Sequence, residues 1–144
     1  MNIEIYSREN LIKHSIAKWD DKMALISIYD TDDAPPKLFN KPKHSLFIAF
    51  DDIYADDMDN VDLSFFKPFN KKLAIRIADF VKLHKDEVDT FICQCQFGQS
   101  RSAGVAAAIK EYFDNDGQAI FDDERYSPNK DVYKMLLDEL EKEK

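Results

Sequence analysis

The stretch Phe91–Ala108 reads FICQCQFGQSRSAGVAAA, and its reading decides the fold. An apolar strand over Glu87–Gln94 (EVDTFICQ) runs into Cys95. Gln96–Ser100 holds Gly98 and reads as a short loop. Arg101–Phe113 (RSAGVAAAIKEYF) is Ala-rich and reads as a closely packed helix. Strand, loop and helix in that order aim several backbone N–H groups at one spot. The unsatisfied donors of the helix N-terminus and the dipole behind them make an anion site. A cysteine at the floor of such a site loses its proton easily, its pKa pulled well below the free value of about 8.5. Arg101, six residues after Cys95, forks onto two oxygens of a phosphate, which lysine cannot match. Gly98 gives the loop unusual dihedrals and close approach to the anion. Ser102 can donate to the sulfur and stabilise it as a leaving thiolate. Nucleophile, anion cradle and charge clamp together suit phosphoryl transfer through a covalent cysteinyl-phosphate.

Outward from this segment, strands alternate with helices. Met1–Tyr6 alternates Ile3 and Ile5 with polar neighbours and reads as a strand; Ser7 caps a helix carrying Leu11, Ile12 and Ile16. Met23–Tyr29 (MALISIY) and Ser45–Phe50 (SLFIAF) are further strands, with the loop Asp30–Pro36 between them. Asp51–Ser64 is a long acidic loop holding Asp51, Asp52, Asp56, Asp57, Asp59 and Asp62; its later acids read as solvated, with a lid or a cation site as weaker readings. Asn70–His84 fits a helix packed on a sheet. Asn115, Asp116 and Gly117 stop the Arg101 helix, and Pro128 opens a last amphipathic helix with Val132, Leu136, Leu137 and Leu140 inward. The pattern predicts one α/β domain over residues 1–144, with a mostly parallel sheet of four to five strands. Ligands of such sheets meet the carboxyl ends of strands, so Asp51 and Asp52, directly after the third strand, are candidates for the acid that protonates a leaving oxygen.

Composition narrows the classes. The chain has 144 residues with 28 acids against 20 bases, a net charge of −8. That balance argues against a general nucleic-acid binder and leaves room for one phosphate in a local pocket. No apolar run reaches the roughly 18–20 residues of a membrane span. Met1–Tyr6 carries no export signal, and two cysteines two residues apart suit neither a disulfide framework nor zinc, so a cytoplasmic location is expected. Lys-, Asn- and Ile-rich usage predicts an AT-rich bacterial source. His14, His44 and His84 lie far apart in sequence and form no ligand pattern; no metal and no cofactor are expected. Cys93 and Trp19 read as core, with a redox partnership of Cys93 and Cys95 as the weaker alternative.

Cys95 to Ser102 resembles the C-x5-R-S/T signature of the cysteine-dependent protein tyrosine and dual-specificity phosphatases. Its late place in the chain resembles the dual-specificity layout. More narrowly, Asp52-Ile53, Cys95 to Ala103 and Pro128-Asn129 are similar to features of small bacterial phosphatase-like proteins. The resemblance spans Leu46 to Leu140. It implies a three-layer α/β/α fold, with Cys95 as nucleophile and Arg101 as the phosphate-binding arginine. Ser102 would match the leaving-group hydroxyl and Asp52 the general acid, with Asp51 as the near alternative. Gln96, Phe97, Gly98, Gln99, Ser100 and Arg101 would hold the substrate phosphate. The substrate is expected to be a phosphorylated protein or a small phosphomonoester, with no nucleic acid or membrane as partner. One departure is Gln94, where the family usually has histidine: an uncharged residue there predicts a less favoured thiolate and a slower enzyme. Gln96 and Phe97 also depart from the bacterial relatives, and Phe97 is placed to line the pocket rim. A phosphate-binding module without turnover is the competing reading. A sulfur-transfer or arsenate-reducing enzyme is a more distant one.

Overall fold

The computed structural model describes residues 1–54 and 66–142. Asp56, Asp57, Asp59 and Asp62 lie outside the described residues. Four strands form one sheet: β1 (Asn2–Ser7), β2 (Met23–Tyr29), β3 (His44–Ala49) and β4 (Thr90–Cys95). All pairings are parallel, in the order β1-β4-β2-β3. Around the sheet lie α1 (Arg8–His14), α2 (Lys71–His84), α3 (Arg101–Asp114), α4 (Gln118–Asp122) and α5 (Lys130–Glu141). Among the described residues, no helix is long and apolar enough to cross a membrane.

The central position of β4 explains its sequence. Every residue from Thr90 to Cys95 is buried, so the run does not alternate with polar residues as an edge strand would. Its side chains still divide by parity. Phe91, Cys93 and Cys95 join Ala24, Ile26 and Ile28 of β2 beneath α2, α3 and α5. Ile92 turns to the opposite face, where Leu25, Leu11 of α1, Trp19 and Leu38 cover it. Trp19 is a packing residue whose Nε1 donates to the Asn40 carbonyl at 2.7 Å. The result is three layers, α/β/α.

Caps set where the helices begin. Ser7 Oγ accepts from Asn10 N, and Asn70 Oδ1 accepts from Leu73 N. α1 ends at His14, which leaves Ile16, expected on its apolar face, 65% exposed. Asn129, not Pro128, caps α5: its Oδ1 accepts from Asp131 N and Val132 N, satisfying first-turn donors. Pro128 therefore sits one residue before the cap. Asn115, in the left-handed region with φ 56°, ends α3, and the short α4 that follows was not expected. Ala103, Ala106, Ala107 and Ala108 are buried, so α3 sits close to the sheet. A Cβ on Gly104 would lie 2.7 Å from the Asn129 carbonyl, so glycine is what lets α3 meet the start of α5.

Each histidine reads from sequence as an ordinary surface or packing residue, and two of them pack on each other. The start of β3 and the end of α2 meet in space, and the His44 and His84 rings stack with centroids 4.2 Å apart. His14 packs separately, between Tyr6 and Trp19.

Candidate active site

Cys95 ends β4 on the α3 face and is 2% exposed. Its Sγ lies 3.0 Å from the Oγ of Ser102, in the first turn of α3. Between them the chain curls so that its carbonyls turn outward. Arg8 N donates to the Gln96 carbonyl at 3.1 Å and Ser127 N to the Gln99 carbonyl at 2.9 Å. Asn129 N and Gly104 N donate to the Ser100 carbonyl at 3.0 and 2.9 Å. By contrast, the N–H groups of Phe97, Gly98, Gln99 and Ser100 make no hydrogen bond among the described residues. α3 also starts without a side-chain cap and without an acid in its first turn. Four loop donors without a partner among the described residues and an uncapped helix start can together receive an anion.

Glycine is needed at Gly98. Its φ is 68°, and a Cβ there would lie 2.7 Å from Ser7 N and 2.8 Å from the Tyr6 carbonyl carbon. The loop is thus seated on the end of β1. Phe97 beside it is 75% exposed.

Arg101 is the first residue of α3 and is 4% exposed. Its Nη1 donates to Asp30 Oδ1 at 2.7 Å and to the Phe50 carbonyl at 2.8 Å. Its Nε is buried and makes no hydrogen bond among the described residues. An unmet buried donor costs on the order of 1–3 kcal/mol, more when charged. An oxyanion would meet it, with the opposite end of the guanidinium already fixed.

The two adjacent acids have different jobs. Asp51 is 8% exposed. Its Oδ1 accepts from Thr31 N at 3.0 Å, and its Oδ2 from Thr31 Oγ1 at 2.6 Å and Lys67 N at 2.8 Å. Burial pushes its carboxyl up. The hydrogen bonds from Thr31 and Lys67, with the Arg101 charge, outweigh burial and hold it below its ordinary value. Asp51 is a brace with no oxygen to spare. Asp52 is exposed and turns to the loop, its Oδ1 accepting from Ser100 Oγ at 2.8 Å and from Asn129 Nδ2 at 3.0 Å. An open cavity of about 480 Å³ adjoins it, lined by Asp30, Thr31, Asp32, Asp51, Asp52 and Phe66.

Cys93 is fully buried, and both cysteines are free thiols. Burial, with a smaller contribution from Cys95, pushes the Cys93 thiol up, which suits a packing residue. Gln94 lies on the other face of β4 and accepts from the Ser27 hydroxyl across the sheet.

Two residues at this site escaped the sequence reading. Asp30 follows β2 as Asp51 follows β3, so the strand-end rule that picked the Asp51–Asp52 pair was available for it. Asn129 joins the loop, Asp52 and α5 in one hub. Its signal was the polar residue just before the amphipathic Val132–Leu140 run.

A mouse protein described as a dual specificity phosphatase, complexed with zinc tungstate, superposes with a TM-score of 0.60 at 15% identity; 97% of this chain and 82% of that chain are covered. The fold is that of the dual-specificity phosphatases. The human tyrosine phosphatase-like serine/threonine/tyrosine-interacting protein gives a TM-score of 0.61 at 14% identity, over 95% of this chain and 89% of that one. PTPMT1 in complex with PI(5)P gives 0.55 at 12% identity, over 98% and 91%. No protein-family model matches the chain, and no curated protein matches it in sequence. In this fold Cys95 and Ser102 meet at the carboxyl end of β4, Arg101 opens α3 next in sequence to Ser102, and Asp52 reaches Ser100 of the connecting loop.

Proposed function

We propose that the chain is a metal-independent phosphomonoesterase acting through Cys95, with phosphotyrosine or mixed phosphoprotein substrates. The observation that carries this is the pairing of Cys95 Sγ with Ser102 Oγ at 3.0 Å below free loop amides and a buried Arg101 whose Nε awaits a partner. The Cys95 thiolate attacks phosphorus in line with the ester oxygen. The S–P bond forms, the P–O bond breaks, and Asp52 delivers a proton to the leaving oxygen. Gln96–Ser100 and Arg101 hold the equatorial oxygens. Water then attacks the cysteinyl-phosphate, Asp52 takes its proton, and the S–P electron pair returns to a thiolate stabilised by Ser102. A net charge of −8 does not steer phosphopeptides in, so association rests on the local cradle and gains little at low salt.

Hydrolysis of p-nitrophenyl phosphate with EDTA present, across acidic to neutral pH, tests this. Turnover that survives EDTA and disappears in Cys95→Ser supports it. A folded wild-type chain without turnover overturns it. The second reading, a phosphate-binding module, is favoured by Gln94, which places no positive charge behind the thiol. It fits the fold equally, since one solved neighbour is named an interacting protein. Vanadate binding without hydrolysis would select it.

A further inference from the structure

The amino ends of the strands carry a second cluster of chemistry. His44 opens β3, His84 is the last residue of α2, and Glu87 lies between α2 and β4. Glu87 Oε2 is 3.2 Å from His44 Nε2, and Glu87 Oε1 is 3.5 Å from His84 Nδ1. The three ligand atoms lie within 4.8 Å of one another. The His84 ring is held edge-on by Phe80 with centroids 4.7 Å apart. His84 Nδ1 is buried and makes no hydrogen bond among the described residues. The imidazoles are largely covered, whereas Glu87 is 51% exposed and leaves the cluster open on one side.

We propose that His44, His84 and Glu87 bind a zinc ion. Two imidazoles and a carboxylate are borderline ligands, which suit zinc over the all-oxygen shells of magnesium and calcium. Zinc bonds of about 2.0–2.2 Å set tetrahedral ligand atoms roughly 3.3–3.5 Å apart, and each imidazole nitrogen is already that close to one oxygen of Glu87, His44 to Oε2 and His84 to Oε1. A dication meets both ring lone pairs and the carboxylate at once. The C-terminus of the 14-residue α2, the negative end of its dipole, lies beside it and favours a cation. Water would complete the shell on the Glu87 side. The ion would clip edge strand β3 to α2 and to the lead into β4, at the end of the sheet away from Cys95.

The test uses the full chain as Cys95→Ser, which removes the thiolate as a rival zinc ligand. After EDTA stripping and dialysis, zinc chloride is titrated by calorimetry and thermal unfolding is followed with zinc or magnesium. One zinc per chain is expected, with a melting temperature raised by zinc and not by magnesium. Cobalt(II) should give the visible bands of a tetrahedral nitrogen–oxygen site without a thiolate charge-transfer band. His44→Gln and Glu87→Gln should each weaken zinc at least about 10–100-fold, the loss seen even for outer partners. Glu87 is exposed enough that its variant keeps the test valid if a histidine variant fails to fold. No saturable zinc binding by the folded chain, or binding unchanged in His44→Gln and Glu87→Gln, overturns the proposal.

Discussion

The two ends of this parallel sheet solve opposite electrostatic problems. At the carboxyl ends the candidates are mostly backbone: the N–H groups of Phe97–Ser100, unpaired among the described residues, and the uncapped start of α3, with the Arg101 guanidinium beside them in sequence. At the amino ends, backbone contributes only the negative end of α2, and side chains from three places do the rest. The difference follows from direction. In a parallel α/β unit each helix start points back over the carboxyl ends of strands, and each helix end returns to the amino ends. On the two proposals, an anion is received at one end and a cation at the other.

The largest effect should come from the sulfur. Cys95→Ser should reduce aryl-phosphate turnover to the uncatalysed background while vanadate still binds; residual catalysis would move the chemistry elsewhere. Next comes the clamp. Arg101→Lys removes the fork and should lower kcat by about 10²–10³, the usual loss for one transition-state donor. Asp30→Asn leaves the Phe50 carbonyl as anchor and should cost about tenfold in kcat/KM, one hydrogen bond to a charged group. Equal losses for the two variants would show that Asp30 does more than position Arg101.

The adjacent acids sharpen the contrast within one end. Asp52→Asn should lower aryl-phosphate turnover by about 10²-fold or more and leave the melting temperature nearly unchanged. Asp51→Asn should do the reverse, because its three hydrogen bonds from Thr31 and Lys67 are lost or inverted. The sign follows from its depressed carboxyl. The stability that Asp51 contributes is full above the unfolded Asp value of about 3.9 and is lost as pH falls from there through the lower folded value. Urea denaturation of wild type and Asp51→Asn should therefore converge below about pH 4. The smallest expected effect is Gln94→His, a few-fold rise in turnover if charge behind the thiol is what is missing; no change would weaken the account given of Gln94.

What could be read from sequence follows the same division. Cys95 to Ser102 is one contiguous segment whose function lies in the order strand, loop, helix, so nucleophile, glycine and arginine could be picked out without coordinates. The parallel sheet was legible too, because β2 and β4 are central and mostly apolar, with only Ser27, Thr90 and Gln94 as polar buried members. Asp51 and Asp52 could not be separated, since adjacent acids differ only in which way the chain turns after β3. His44 and His84 could not be joined, because their contact exists only once α2 has crossed back to β3. Pro128 lies two residues before the first helical position expected for it, because a cap is defined by its hydrogen bonds, and proline at the first helical position looks the same in sequence as proline just before the cap.

Asn129 carries a consequence for how the protein is made. The Ser100 carbonyl, the Asp52 side chain and the first turn of α5 all meet on this one residue. A chain emerging from the ribosome displays Cys95 long before Asn129 arrives. Until then the Ser100 and Asp52 contacts with Asn129 are missing, so the proposed site is completed only when the last helix docks.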